Sequence, residues 1–430
     1  MATDTPIWVW PPGANEPVLA GQFRLDEGQG WVRYTDAYMQ EQSAGQLDPV
    51  HLRFDRRIKG IPVSINGGFP GVFVDAAPAG YGADRLKEVA GRTLSMLEML
   101  QLGLADGAGA IEICADIDHK LQSWKPPSLI KLLELVLELE DTAPASRAIR
   151  RLLDDESTSA GGERPKITIH HAGRLWLAKM QDRGDAPHMP AKEYVVMRLA
   201  KDVGLTVPDV QLLGDERRKV FLIERFDRGG DPFKPTRVLY ASAHSVLGLD
   251  GAGGHEDPRR SYLVLADELR RWCTGAEAIN DCQELWRRMA FNVLVGNTDD
   301  HPRNHALIRK DGLWRLAPAF DITPLPLRAG SLSLACDEQG SKEGTPERLL
   351  RSARHFELDM ERAALWLYEA AKLIANEWTQ RMARAGVDTS TIESLSPAFA
   401  TSHLLAQDPS ALAKSVDIAR LKVDRRRRRI

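Results

Sequence analysis

The sequence predicts an α+β protein, strand-rich at its start and nearly all helical towards its end. Over about the first hundred residues short apolar stretches alternate with Pro, Gly and Asn, a pattern of strands and turns. Beyond about residue 260, apolar side chains recur at three- and four-residue spacing, which is the helical period. With 430 residues, 43% of them hydrophobic, the chain can bury a substantial core and divide into two or three packed lobes.

Taken in order, "IWVWPPGANEPVLAGQFRL" sets apolar runs either side of a turn, and "GIPVSINGGFPGVFVDAAPAGYG" holds too much Gly and Pro for a helix, so the first lobe is expected to contain β-structure. From "ADRLKEVAGRTLSMLEMLQLGLA" the pattern turns helical and continues through "SLIKLLELVLELEDTAPASRAIRRLL" (128–153). A polar, Gly-rich break, "DDESTSAGGERPKITI", leads into the strand-like "ITIHHAGRLWLAKM". The helix "AKEYVVMRLAKDVGL" follows, with Gly204 where a left-handed cap is expected, and "VQLLGDERRKVFLIERF" returns to strands. The expected order is strand, helix, strand, strand. Further on, "ELDMERAALWLYEAAKLIANEWTQRMARAG" aligns Leu365, Tyr368, Ala371, Ala375, Trp378 and Met382 on one face and stops at Gly386.

A net charge of -3 and a pI near 6.4 exclude a global attraction to nucleic acid or anionic membrane, leaving only local patches. One such patch is the run "DRRRRRI" (424–430), whose plain reading is a solvated end. The four cysteines, Cys114, Cys273, Cys282 and Cys336, stand far apart without a CxxC pair, as in a reducing compartment. No basic segment followed by an apolar core opens the chain, and no run of about 18 uncharged apolar residues occurs, so a soluble cytoplasmic protein without a membrane partner is expected.

Chemistry concentrates in "NVLVGNTDDHPRNHALI" (292–308). Asp299 and Asn304 have the D-x-x-x-x-N spacing of a protein-kinase catalytic loop, where the Asp takes or orients the proton of the attacking hydroxyl and the Asn oxygen binds Mg²⁺. Next, "HALIRKDGLWRLAPAFD" reads as a hairpin turning at Asp311-Gly312, which would return Asp321 beside Asn304 to share a hard cation. A rival reading makes His301 and His305 zinc ligands of a metallohydrolase, with Asp299, Asp300 or Asp321 completing the site. Pro302 opposes a helix through both and no third His stands nearby, which favours a loop-ordering role for His301.

Phosphate binding would need further parts. The turn "STSAGGERPK" (157–166) offers the backbone N–H groups of Gly161 and Gly162, and its hydroxyls Ser157, Thr158 and Ser159 are candidate phosphorylation sites. Alternation in "LWLAKM" gives Lys179 the facing of Leu175 and Leu177, a costly place for an ammonium unless it meets an anion. Glu193 either orients Lys179 or favours the first turn of its helix. In "FLIERFDR" the strand runs out into Glu224, Phe226 and Asp227, a segment able to offer backbone groups to adenine and a carboxylate to ribose.

In this order, "FPGVFVDAAPAGYG", "SAGGERPK", "LWLAKM", "EYVVMRLAKDVGL", "FLIERFDR", "NVLVGNTDDHPRNHAL" and "LAPAFDITP" resemble the HipA family, the serine/threonine kinase toxins of bacterial type II toxin–antitoxin modules, over about residues 5 to 400. The resemblance implies a protein-kinase-like two-lobed fold with an added β-containing subdomain and a helical C-terminal lobe. The implied divisions are 1–125 for the β-rich subdomain, 126–235 for the nucleotide-binding part, 236–420 for the catalytic lobe and 421–430 for a basic tail. It further implies ATP and Mg²⁺, Asp299 as base, Asn304 and Asp321 on the metal, Lys179 on the phosphates, and Glu224, Phe226, Asp227 and His301 among the nucleotide-binding residues. Family partners are a HipB-like helix-turn-helix antitoxin, operator DNA through that antitoxin, and a translation-related substrate such as an aminoacyl-tRNA synthetase. The resemblance also implies autophosphorylation in the Gly-rich loop; a catalytically silent corepressor is the alternative, against which the sequence argues because no expected catalytic position is missing. The three hydroxyls leave the modified position open, and the insert "DGAGGHEDPRRS" leaves the target open.

Overall fold

Apolar alternation at the start of the chain produces the strands expected there. The computed structural model describes residues 4–41, 43–57, 59–138, 166–181, 185–215, 218–251, 256–273, 275–326, 331–409 and 412. These form two compact units, each assembled from separated stretches of sequence: 1–186, 208–253 and 306–317 in the first, 187–207, 254–305 and 318–430 in the second.

In the first unit β1 (Thr5–Val9), β2 (Val18–Asp26), β3 (Gln29–Tyr34), β4 (Ile61–Val63) and β5 (Ile111–Ile113) make an antiparallel sheet in the order β4-β3-β2-β1-β5. Ile7, Phe23 and Val32 are fully buried, and Phe73 meets Phe23 edge-on with ring centroids 5.4 Å apart. Phe73 lies on the helix Gly71–Ala76, inside the stretch expected to hold none. Gly and Pro there punctuate the helix ends, with Pro70 at the N-cap, and leave six residues free to bury Val72 and Phe73. Gly30 is required where β3 passes Gly68, because a Cβ would stand 1.7 Å from the Gly68 carbonyl oxygen.

A second sheet, β6 (Lys166–His171), β7 (Arg174–Met180), β8 (Val210–Gly214) and β9 (Lys219–Glu224), runs β6-β7-β9-β8. The single strand-like segment of the sequence is thus a hairpin of β6 and β7, turned at Ala172 and Gly173, both in left-handed backbone. The order is strand, strand, helix, strand, strand. One face of the sheet buries Ile167, Ile169, Trp176, Ala178, Met180, Val220 and Leu222 against Leu129, Leu132 and Val136 of the helix Leu129–Leu137. Burying each large apolar side chain contributes about 1.5–3 kcal/mol. The remainder of the helical 128–153 expectation, from 139 on, lies outside the described residues. The short pair β10 (Arg228–Gly229) and β11 (Thr236–Arg237) and the sheet β12 (Tyr240–Ser242), β13 (Ala306–Lys310), β14 (Leu313–Leu316) complete this unit.

The second unit is built on helices, chiefly Met189–Asp202, Tyr262–Trp272, Glu277–Leu294, Met360–Arg384 and Ala400–Gln407. Asp359 caps the longest of them by accepting from the Glu361 and Arg362 amides, and Gly386 beyond its end has φ +78°. Its buried stripe includes Leu367, Tyr368, Ala371, Ile374, Trp378 and Met382; Leu365 and Ala375, assigned to that face from sequence, are only half-buried. Trp378 stacks on Phe399 at 4.2 Å between centroids. Among the described residues no helix is long and apolar enough to cross a membrane.

Candidate active site

The loop read as catalytic begins where the helix Glu277–Leu294 stops. Gly296 (φ +62°) turns the chain so tightly that a Cβ would lie 2.6 Å from the Ala398 backbone, and the Asn297 amide then donates to the Asn292 carbonyl at 2.8 Å. Pro302 opens a 3₁₀ turn, Pro302–Asn304, so His301 and His305 do not share a helix face, as the proline predicts. Asn304 Nδ2 donates to the Asp299 carbonyl at 2.7 Å. That bond fixes the amide flip and leaves Asn304 Oδ1 as the free acceptor. The Asp299 side chain itself is 64% exposed, with Oδ1 3.8 Å from His301 Nε2.

The hairpin forms as expected: β13 pairs with β14, Asp311 (φ +51°) and Gly312 (φ +81°) make the turn, and the Ala317 amide closes on the Ala306 carbonyl at 2.9 Å. Four residues later Asp321 adopts φ +57°. In the second unit a cleft of about 250 Å³, counting its open mouth, is lined by Asn304 and Asp321 together with Arg288, Asn292, Asn297, Asp300 and His305. Asp299 is not part of this lining.

Behind the loop stands a buried polar network. Tyr262 Oη donates to Asp300 Oδ2 at 2.7 Å, accepts from Asn292 Nδ2 at 3.0 Å and lies 3.2 Å from His305 Nε2. Asn297 Nδ2 in turn donates to Asn292 Oδ1 at 3.0 Å. Burial pushes the Asp300 carboxyl up to about 6, against the downward pull of its Ser333 and Tyr262 hydrogen bonds. Burial, with Arg288 and His301 adding to it, takes His305 down to about 3, so the ring is neutral. Among the described residues no three His, Cys, Asp or Glu side chains are grouped to hold a metal, so the zinc reading of His301 and His305 finds no ligand set.

Comparison with known proteins shows the family and the fold. The HipA-like C-terminal domain family matches residues 158–385, more than half of the chain. The chain belongs to the HipA family. It is 23% identical over 326 residues to the serine/threonine-protein kinase toxin HipA of Shewanella oneidensis, covering 67% of this chain and 73% of that one. Y4mE of Sinorhizobium fredii, a candidate kinase by name, is 27% identical over 151 residues, or 32% of each chain, so the match spans about a third of that relative. The solved complex of Shewanella oneidensis HipA with HipB and its operator DNA aligns with a TM-score of 0.61 at 18% identity, over 90% of this chain and 95% of that one. The chain therefore has the HipA fold, and with it the α+β, kinase-like architecture expected.

The other residues singled out from the sequence fall as follows. Lys179 is half-buried in the first unit, on the opposite side of β7 from Trp176, Ala178 and Met180, with Nζ 5.8 Å from the Phe221 ring centroid. Glu193 is buried in the second unit. Glu224 accepts from Arg174 at 2.8 Å, and Phe226 is half-buried. Both Asp227 oxygens accept within the protein, from Arg225 (2.8 and 3.0 Å), Arg228 (2.6 Å) and the Gly109 amide (2.9 Å). Gly161, Gly162, Ser157, Thr158, Ser159 and the arginine run 425–429 lie outside the described residues. Sequence reasoning missed Tyr262, Asn292 and Arg288 and saw Asp300 only as a zinc ligand. A signal existed, because Asp281, Glu284, Arg288 and Asn292 recur at helical spacing among the apolar residues that this helix buries.

The donor set fits Mg²⁺. Asn304 and Asp321 offer oxygen, and Asn297 Oδ1 is buried without a hydrogen-bond partner beside them. Oxygen-only coordination suits a small hard cation better than zinc.

Proposed function

We propose that this HipA-family chain is an ATP- and Mg²⁺-dependent protein serine/threonine kinase. The observation that carries the reading is the convergence of Asn304 and Asp321 on one cleft, with the Asn304 amide tied to the Asp299 backbone at 2.7 Å. Asn304 and Asp321 would hold Mg²⁺, which when bound neutralises phosphate charge and so favours transfer. Asp299 presents an exposed carboxylate that can accept the proton of a substrate hydroxyl as it attacks the γ-phosphate. Lys179 would bind the phosphates, while Glu224 and Phe226 would offer contacts to the base. Asp227 is better read as a fixed strut under that segment.

The substrate proposed is a serine in a translation-related protein. The Gly-rich loop is proposed to modify itself at Ser157, Thr158 or Ser159, adding about -1.5 to -2 charge beside the nucleotide. Because the Shewanella HipA structure contains HipB and operator DNA, a helix-turn-helix antitoxin is the proposed partner. Purified protein given Mg²⁺ and γ-labelled ATP, beside Asp299→Ala, tests the reading. Label on the wild type alone is expected; equal label on both would move the base elsewhere, and none on either despite ATP binding would favour a silent corepressor.

A further inference from the structure

Asp300 follows the proposed base directly, is 1% exposed, and is used by no step above. Its two oxygens are held from two directions. Oδ2 accepts from the Tyr262 hydroxyl at 2.7 Å and Oδ1 from the Ser333 amide at 2.6 Å. Those donors belong to one braced assembly. Tyr262 opens the helix Tyr262–Trp272, its amide donates to the Ala335 carbonyl at 2.9 Å, and the Ala335 amide donates to the Arg260 carbonyl at 2.9 Å. Ser333 Oγ also reaches the Thr298 carbonyl at 2.8 Å, one residue before Asp299.

The backbone around Asp299 is therefore pinned at Thr298 by Ser333, at Asp299 by Asn304, and at Asp300 by Tyr262 and Ser333. A buried carboxylate is an expensive way to fill space, and an apolar side chain would do so at lower cost. What the carboxylate gives is position: two strong acceptors aimed at a helix start and at a separate segment. Misplacing a reacting group by about 1 Å can cost about a hundredfold in rate.

We propose that Asp300 is the positioning residue of the catalytic loop, its buried carboxylate fixing the backbone that carries Asp299 through Tyr262 and Ser333. The inference rests on the kinase reading of Asp299 and extends it. The network also predicts which substitution is tolerated. In Asp300→Asn, Oδ1 keeps the Ser333 amide while Nδ2 donates to the Tyr262 oxygen, whose hydrogen turns to His305 Nε2 at 3.2 Å. Every partner stays satisfied. Asp300→Ala leaves the Ser333 amide and the Tyr262 hydroxyl without that acceptor.

The test combines steady-state kinetics with hydrogen exchange of the full chain for wild type, Asp300→Ala, Asp300→Asn and Tyr262→Phe. The last deletes one hydroxyl and serves if the alanine variant does not fold. For Asp300→Ala, amides of 297–305 are expected to exchange about tenfold faster and kcat to fall about 10- to 100-fold with the KM for ATP nearly unchanged. Tyr262→Phe should do the same more weakly, and Asp300→Asn should restore both to within about threefold of wild type. Unchanged loop exchange in both Asp300→Ala and Tyr262→Phe overturns the proposal, as does an Asp300→Asn loop as loose as the alanine variant's. Loosened exchange in a protein whose wild type transfers no phosphate sinks the kinase reading and leaves the positioning intact.

Discussion

At Asp321 the chain takes φ +57°, a left-handed conformation that costs a non-glycine residue about 1–2 kcal/mol and that Asn and Asp tolerate best. On the proposed reading the strain is accepted because the Asp321 carboxylate is wanted beside Asn304 in the cleft. Asp321→Asn should melt within about 1–2 °C of wild type yet lose tenfold or more in Mg²⁺-dependent nucleotide affinity. Calorimetric titration with and without Mg²⁺ checks this; undiminished Mg²⁺ dependence would remove Asp321 from the metal. Asp300 and His305 make a second prediction, of opposite-signed pH effects. The carboxyl is raised from its usual 3.8 to about 6, so its contribution to stability is fully present below 3.8 and is lost as pH rises through 6. The imidazole is lowered from 6.5 to about 3, so its contribution is present above 6.5 and is lost as pH falls towards 3. Between about pH 4 and 6 folding moves a proton from one group to the other without net uptake, and the pair contributes almost no slope. His305→Gln removes one arm: relative to wild type it should gain up to about 1.4 kcal/mol per pH unit as pH falls from 6.5 towards 4. Urea unfolding at pH 4.5 and 7 measures the change, and a constant difference would reject the neutral native histidine.

Among the elements, the segment after β9 sets a reading from local sequence beside partners that lie far away in the chain. Asp227 follows a strand end at the place a ribose carboxylate is wanted, but it is buried between Arg225 and Arg228, with Arg225 also paired to Asp106 at 2.5 Å. Removing one member of a buried charge cluster leaves the others uncompensated, so Asp227→Ala should destabilise the protein by about 3–5 kcal/mol in chemical denaturation. A loss of ATP affinity at unchanged stability would instead restore the ribose role. Asp106 and Gly109 lie more than a hundred residues away in sequence, and no local pattern announces such partners. Local chemistry was legible. The Asp311-Gly312 turn follows from two residues that accept positive φ, the kink at Pro302 from a missing N–H, and the end at Gly386 from a left-handed cap. The helix Gly71–Ala76 was hidden because composition was averaged over a window longer than the element, whereas the alternation along β7 gave Lys179's facing. The side of β7 without Lys179 carries the apolar cluster under Leu129–Leu137.

For the whole molecule, each of the two compact units gathers three separated stretches of the chain. The helix Met189–Asp202 belongs with the helical residues after 254, and the hairpin β13–β14 with the strands before 253, because each joins the core its apolar face matches, irrespective of chain order. Charge is the property of the whole that sequence states without a fold. At -3 overall the chain has no general attraction to DNA, yet five of its positive charges stand consecutively at 425–429. If those arginines neutralise phosphates, each releases counterions, and together they can contribute a log K against log salt slope of at most about -4.5. The full chain alone should therefore bind duplex DNA weakly, at low salt only, and deletion of 424–430 should abolish that binding. With the antitoxin and its operator present, the same deletion should flatten the salt slope by up to that amount and leave sequence preference unchanged, since phosphate contacts position without reading bases. An unaltered slope and affinity in fluorescence anisotropy would show that the arginine run takes no part in DNA binding.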